Sequence, residues 1–129
     1  MNEEDRKTLV KLELEKAEKF LRQAKEMETL SYWDLAANRY YYACFHAVQA
    51  LFIHDGIENH THKGLIAQLG LNYIKSGKID SELGAFLSTM EQIRKKGDYN
   101  CIIEVTKEEV EEMSDPSHKL IDSIGRMVG

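Results

Sequence analysis

Hydrophobic side chains recur along the first part of the chain at the spacing of an α-helix. The apolar positions are three or four residues apart, and mostly Glu and Lys lie between them, so they form one stripe on a helix of about residues 4 to 28. The stripe consists of Val10, Leu14, Ala17, Leu21 and Ala24. This pattern predicts a long helix that buries one face.

A second predicted helix, ending near His54, is apolar on several faces. Ser31 is followed three residues later by Asp34, which resembles a capping signal, and Asp55-Gly56 ends the helix because glycine adopts the left-handed conformation easily. Its apolar and aromatic residues are Trp33, Leu35, Tyr40, Tyr41, Tyr42, Phe45, Val48, Leu51, Phe52 and Ile53. We therefore expect this helix to be the central and most buried element.

Two shorter helices are predicted in the middle of the chain. Helical spacing holds over about residues 61 to 75, with Ser76-Gly77 as the stop, and over about residues 80 to 96, with Gly97 as the stop. One face of the first carries His62, Leu65, Ile66, Leu69 and Tyr73, and the apolar stripe of the second consists of Leu83, Phe86, Leu87, Met90 and Ile93. We expect residues 98 to 105 to form a loop.

The last predicted helix begins with a capping box, since Thr106 is followed three residues later by Glu109. Pro116 lies inside its apolar pattern, and proline removes a helical hydrogen bond, so a kink or a break is expected there. No useful stretch alternates with the period of a strand. The sequence therefore predicts an all-α protein, with one domain over residues 1–129 built as an up-and-down bundle of five helices.

Charge and cysteine content narrow the classes of function. Seventeen Lys and Arg against 22 Asp and Glu give a formal charge of -5, which argues against strong non-specific binding to nucleic acid, so no DNA partner is expected. Cys44 and Cys101 have no metal-type spacing, and we expect both to be reduced core residues of a cytoplasmic protein. The charged start and the interrupted apolar stretches predict neither a signal peptide nor a membrane span.

The second helix also carries the candidate chemistry. Arg39, Tyr42 and His46 lie at i, i+3 and i+7, so they share one helix face. An unpaired arginine is costly to bury, so Arg39 either pairs with an acid such as Asp34 or Asp98 or faces a cleft. The imidazole of His46 suits proton transfer near neutral pH. Two interpretations stay open: a core histidine beside a paired arginine, or a reactive site.

Three segments together resemble one protein family. The run from Asn38 to Ala47 resembles the signature helix of the HEPN family (higher eukaryotes and prokaryotes nucleotide-binding domain), in which four to six residues separate an arginine from a histidine; here six intervene. Two stretches are similar to small stand-alone prokaryotic members, namely Thr61-His62-Lys63-Gly64 and Arg94-Lys95-Lys96-Gly97-Asp98-Tyr99. The resemblance covers most of the chain.

The resemblance implies a HEPN-like five-helix bundle that forms a homodimer. In active members it also implies a metal-independent endoribonuclease, a toxin or defence component with no cofactor, whose Arg39 and His46 lie in a cleft at the dimer interface. His46 would transfer protons and Arg39 would stabilise charge on the phosphate, while the two protomers would supply two imidazoles. The apolar faces of the second helix independently predict an interface between two copies.

Other functions remain open at this stage. Active members often carry a polar residue directly after the arginine, where this chain has Tyr40, and the tyrosine that is adenylylated in some members is replaced by Val48. The alternative is therefore a non-catalytic HEPN module that binds a nucleotide or a partner and is associated with a nucleotidyltransferase. A plain helical dimer with neither activity is a third interpretation.

Basic and aromatic residues outside the arginine and histidine pair provide candidate contacts to RNA. Lys63, Arg94, Lys95 and Lys96 form a dense positive cluster that could meet a phosphate backbone, and Tyr42 could stack on a base. The competing interpretation is solvated lysines near helix ends and a core tyrosine. His54, His60 and His62 have no carboxylate or cysteine that completes a ligand set, so no metal is expected.

Overall fold

The apolar stripes of the sequence become five α-helices. The computed structural model describes residues 1–129 and contains no strand. In chain order the helices are α1 (Glu3–Thr29), α2 (Trp33–Asp55), α3 (His62–Leu69), α4 (Ser81–Tyr99) and α5 (Lys107–Val128). The predicted all-α class and the five-helix bundle are confirmed. No helix is both long and apolar enough to cross a membrane.

Helix α2 lies at the centre of the bundle, as its composition predicts. It packs against α1, α4 and α5, and the rings of Tyr40, Tyr41 and Phe52 are fully buried. Small side chains let neighbouring helices lie close together, and both α1 and α2 bury several alanines completely. These alanines are Ala17, Ala24, Ala36, Ala37, Ala43, Ala47 and Ala50.

The prediction that Ser31 caps α2 is wrong. Ser31 has a positive φ of 62° and follows the end of α1 instead. The backbone N–H of Tyr32 donates to the carbonyl of Met27 at 2.9 Å, and that of Ser31 donates to Glu28 at 3.0 Å, which is a Schellman motif. The serine therefore closes α1, and α2 begins without a side-chain cap. Gly56 ends α2 in the left-handed conformation, as predicted.

The third predicted helix is divided into two parts. The α-helix α3 ends at Leu69 and continues as a π-helical turn over Gly70–Ile74, before a turn that contains Gly77 with a positive φ. Within the π turn, Tyr73 stacks on Phe52 at 5.9 Å and donates its hydroxyl hydrogen to Asp55. These contacts attach the segment to the end of α2.

The prediction that Gly97 ends the fourth helix is also wrong, because α4 runs on to Tyr99. Gly97 instead allows a close approach: a Cβ atom there would lie 2.9 Å from Val105 Cγ2 and 3.3 Å from Asp34 Cα. A glycine at this point permits the last turn of α4 to lie against the start of α2. This contact brings the end of α4 beside the predicted site.

Helix α5 begins with the predicted capping box of Thr106 and Glu109. The predicted break at Pro116 is wrong, because the helix runs from Lys107 to Val128 without interruption. Ser117 and Leu120 next to the proline are buried, so packing holds the helix together across the lost hydrogen bond. A kink at this point stays a prediction.

The two cysteines lie in different surroundings. Cys44 is fully buried on α2, as expected, and burial raises the pKa of its thiol to about 12. Cys101 is exposed in the loop after α4, so the interpretation of both residues as core residues is wrong for Cys101. Val105, at the end of this loop, is buried, whereas Cys101 does not pack into the core.

Candidate functional site

Arg39 and His46 are connected by a residue of the neighbouring helix. The guanidinium of Arg39 lies over the ring of Phe20 in α1, 4.9 Å from its centroid, and the ring of His46 meets Phe20 edge to face at 5.3 Å. Both predicted residues therefore lie along the contact between α1 and α2. Sequence analysis did not identify Phe20, because its place beside these residues depends on how the two helices pack.

The guanidinium of Arg39 has no carboxylate partner. Its Nε donates to Gln23 Oε1 at 2.9 Å and its Nη1 donates to Asn38 Oδ1 at 2.6 Å, and both acceptors are neutral amides. The expected alternative of a pair with Asp34 or Asp98 is not observed, since Asp98 accepts hydrogen bonds from Asn38 and Arg94. Arg39 is therefore a half-buried cation that is held in place without being neutralised.

The imidazole of His46 is oriented by a carboxylate. Its Nδ1 lies 2.9 Å from Glu13 Oε2 in α1, and the side chain is 16% exposed. A carboxylate only accepts hydrogen bonds, so Nδ1 carries the hydrogen and Nε2 is left for proton transfer. An imidazole whose orientation is fixed by a neighbouring carboxylate is typical of general acid and base catalysis.

Tyr42 is half-buried and lies between Arg39 and His46 along the same face of α2. It also contacts residues of α3 and α4. Its ring lies 5.7 Å from the ring of His62 and 5.3 Å from the guanidinium of Arg94. We refer to Arg39, Tyr42, His46, His62 and Arg94 as the Tyr42 cluster. It combines two guanidinium groups and two imidazoles.

Arg94 occupies a different position from the one its sequence neighbours suggest. It is only 4% exposed, and its guanidinium lies between the rings of Tyr41 and Tyr42, at 5.2 and 5.3 Å. Its Nη1 donates to Asp98 at 3.4 Å, while the buried Nε has no partner. Arg94 therefore does not lie in a solvated patch that could meet a phosphate backbone; it is a buried cation that packs between two tyrosine rings and is paired with Asp98.

The three lysines of the expected positive cluster are more exposed than Arg94 and do not form one surface with it. Lys63 is exposed at the start of α3, and Lys95 is exposed and paired with Glu91 at 3.3 Å. Lys96 donates to both carboxylate oxygens of Glu109, at 2.7 and 2.8 Å. Lys63 and Lys95 remain the positions from which an RNA backbone could be contacted.

His62 is the residue of the cluster that sequence analysis missed as a site residue. Its Nδ1 lies 2.8 Å from Tyr41 Oη, and its ring stacks on Phe45 at 4.7 Å. Burial and, after it, the charge of Arg94 hold the pKa of His62 below its ordinary value of 6.5. The imidazole is therefore neutral near pH 7.

The sequence around His62 explains why α3 begins at this residue. Thr61 caps α3 by accepting a hydrogen bond from the backbone N–H of Gly64 at 2.8 Å. A Cβ atom on Gly64 would lie 2.8 Å from that threonine oxygen, so glycine leaves room for the cap. The Thr61-His62-Lys63-Gly64 stretch, noted above for its family resemblance, was the signal that could have identified this position.

Acidic, cysteine and histidine side chains do not assemble a metal centre in this structure. No group of three such residues is placed to hold a metal ion. His54 lies 2.7 Å from Asp55 Oδ1, His62 lies in the Tyr42 cluster and His60 is exposed between them. The three histidines therefore do not converge.

The fold and the cluster define a small helical protein whose central helix carries an arginine and a histidine on one face. The family model described as HEPN domain matches residues 10–127. The chain belongs to the HEPN family, which confirms the resemblance found in the sequence.

Several named proteins are similar to this chain. A UPF0332 protein of Thermotoga maritima is 34% identical over 93 residues, which cover 72% of this chain and 70% of that protein. Two proteins of Methanocaldococcus jannaschii carry the name "putative toxin" and are each 32% identical. The matches cover 81% of this chain and 71% of the first relative, and 86% of this chain and 82% of the second.

Proposed function

We propose that this protein is a toxin that acts as a metal-independent endoribonuclease, with Arg39 and His46 as its catalytic residues. The observation that carries the proposal is the state of Arg39: a fixed guanidinium with no carboxylate partner, in contact with the same phenyl ring as His46. A cation of this kind is suited to an anionic ligand. The names of the two M. jannaschii relatives support the toxin part of the proposal.

The chemistry follows from the groups available. Arg39 uses Nε and Nη1 to hold the two amides, so its remaining N–H groups are left to bind a phosphate and to stabilise the charge that builds up during attack by the ribose 2'-hydroxyl. His46, through Nε2, transfers a proton at the reacting oxygen atoms. Arg94, which is paired with Asp98, packs against the ring of Tyr42, and this half-buried ring offers a surface for a base.

The first test is the product of the reaction. Purified protein is expected to cleave a mixed-sequence RNA equally well with and without EDTA, leaving a 2',3'-cyclic phosphate or its hydrolysis product and a 5'-hydroxyl, because the 2'-hydroxyl is the nucleophile. DNA of the same sequence is the matched control and should remain intact. The products are identified by gel mobility and by mass spectrometry.

Two outcomes would contradict this proposal. Cleavage that EDTA abolishes would mean that a divalent ion takes part. No cleavage by the wild type, including after removal of any protein that copurifies, would favour the alternative of a binding module associated with a nucleotidyltransferase.

A homodimer is part of the same proposal, although not for the reason that the sequence suggested. Most of the apolar surface of α2 is covered by α1, α4 and α5 of the same chain. Two exposed leucines support the dimer instead: Leu35, one turn before Arg39 and 47% exposed, and Leu9, one turn before Glu13 and 37% exposed. They flank the face that carries Arg39 and His46, so a second copy could cover it.

Leu35→Glu is expected to convert the dimer into a monomer, because a carboxylate buried at an interface is left without a partner. We expect the dissociation constant to rise about 100-fold, close to 3 kcal/mol. Light scattering coupled to gel filtration at micromolar concentration measures the change. Leu71→Glu, at an exposed leucine of the π turn, is the control and should remain dimeric. A monomeric wild type would refute the prediction.

A further inference from the structure

Two imidazoles of the same protomer lie against one phenyl ring. The ring of His62 stacks on Phe45 at 4.7 Å, and the ring of His46 meets Phe45 edge to face at 5.5 Å. Phe45, Tyr42 and both histidines are each half-buried, so part of every one of these side chains is accessible. His62 comes from α3, whereas His46 comes from α2.

We propose that His62 is a further catalytic residue, the general base that activates the ribose 2'-hydroxyl, and that His46 is the general acid. Each protomer would then contain a complete acid and base pair, with no need for an imidazole from a second copy. This inference rests on the function proposed above. It differs from the scheme implied by the family resemblance, in which the two protomers supply the two imidazoles.

The surroundings of the two rings assign the roles. Burial and the charge of Arg94 lower the pKa of His62, and Lys95 acts in the same direction. Glu91 raises this pKa, but its effect is smaller than that of Arg94. Tyr41 Oη lies 2.8 Å from Nδ1 of His62, and the rings of Tyr41, Tyr42 and Phe45 pack against the His62 ring. A neutral imidazole can accept a proton. With His62 as the base, the second imidazole, His46, is the proton donor, and the hydrogen bond between its Nδ1 and Glu13 leaves Nε2 to give the proton.

The proposed step is balanced in atoms and charge. Nε2 of His62 takes the proton of the 2'-hydroxyl, the 2'-oxygen forms a bond to phosphorus, and the bond between phosphorus and the 5'-oxygen breaks. The imidazolium of His46 gives its Nε2 proton to the departing 5'-oxygen. Throughout, Tyr41 Oη can accept the Nδ1 hydrogen of His62, which keeps Nε2 as the atom that gains or loses a proton.

The test compares two RNA substrates that differ only in the leaving group. One has the natural 5'-oxygen, and in the other sulfur replaces the bridging 5'-oxygen, so the leaving group needs no proton. His62→Gln is expected to reduce kcat/KM about 100-fold on both substrates, because the base is missing in each case. His46→Gln is expected to lose activity on the natural substrate and to regain most of it on the sulfur substrate.

Controls separate catalysis from folding. His60→Gln replaces an exposed histidine two residues away and should behave as the wild type. Circular dichroism melting checks each variant, and His62→Asn provides a second substitution if His62→Gln unfolds. In the wild type, kcat/KM should fall at acidic pH as His62 becomes protonated, and this acidic limb should be lost in the His62 variants.

The possible failures can be told apart. If the wild type cleaves and His46→Gln does not, but His62→Gln equals His60→Gln, then the role of His62 is refuted and the proposed function stands. Rescue of His62→Gln by the sulfur substrate would also overturn the assignment, because it would make His62 the acid. A wild type that cleaves neither substrate refutes both proposals.

Discussion

His46→Gln is expected to reduce the rate of RNA cleavage about 1,000-fold or more, within the range of a lost proton-transfer group. Glutamine is close in size to histidine and can still donate to Glu13, so the hydrogen bond of 2.9 Å between α2 and α1 has a replacement. It cannot take up or release a proton near neutral pH. The loss should therefore appear in kcat, with little change in KM.

The control for this variant is His54→Gln. His54 lies on the same helix, is exposed and is bonded to the neighbouring Asp55. Steady-state cleavage by wild type, His46→Gln and His54→Gln, each purified in the same way, compares the two positions directly. Equal cleavage by all three proteins would show that the activity comes from another site or from a contaminant.

Arg39→Lys is expected to reduce kcat/KM about 100-fold, although the charge is retained. The guanidinium of Arg39 holds Gln23 and Asn38 with two of its nitrogen atoms and still has N–H groups for a phosphate. A lysine has one nitrogen, so it cannot hold both amides and bind a phosphate in the same geometry. The cation would be present in the wrong place.

Arg22→Lys is the matched control for Arg39→Lys. Arg22 is exposed on α1 and faces the groove that α1 forms with the end of α5, away from Arg39. Measuring kcat/KM together with the affinity for a non-cleavable 2'-deoxy oligonucleotide separates transition-state stabilisation from binding. Wild-type activity in Arg39→Lys would contradict a role for the forked guanidinium.

The sequence was most informative about features that depend on a single helix, such as which residues share a face and where the helix begins or ends. The spacing of Arg39 and His46 places them on one face of α2 whatever the neighbouring helices do, because the helical repeat is fixed. The capping box at Thr106 and the glycine stop at Gly56 are local in the same way, and both are confirmed. The family resemblance was also contained in short segments.

Local patterns misled where packing competes with them. Gly97 is of a residue type that often ends a helix, but α4 continues past it, and the missing side chain makes room for Asp34 and Val105. Ser31 is of a residue type that often caps the start of a helix. Here it has a positive φ and ends α1 instead. In each case a second segment of the chain decides the conformation.

Helical periodicity was enough to predict five helices, most of their buried faces, and the arginine and histidine that share one face. The neighbours of that face come from the packing of α1 against α2: Phe20 between the two residues, Glu13 on His46, and Gln23 where a carboxylate could have been. The tertiary structure also brought His62 to Phe45 and buried Arg94 beneath Tyr42. The physical reason is that helical periodicity fixes directions within one helix, while the partners of a side chain depend on how separate helices cross.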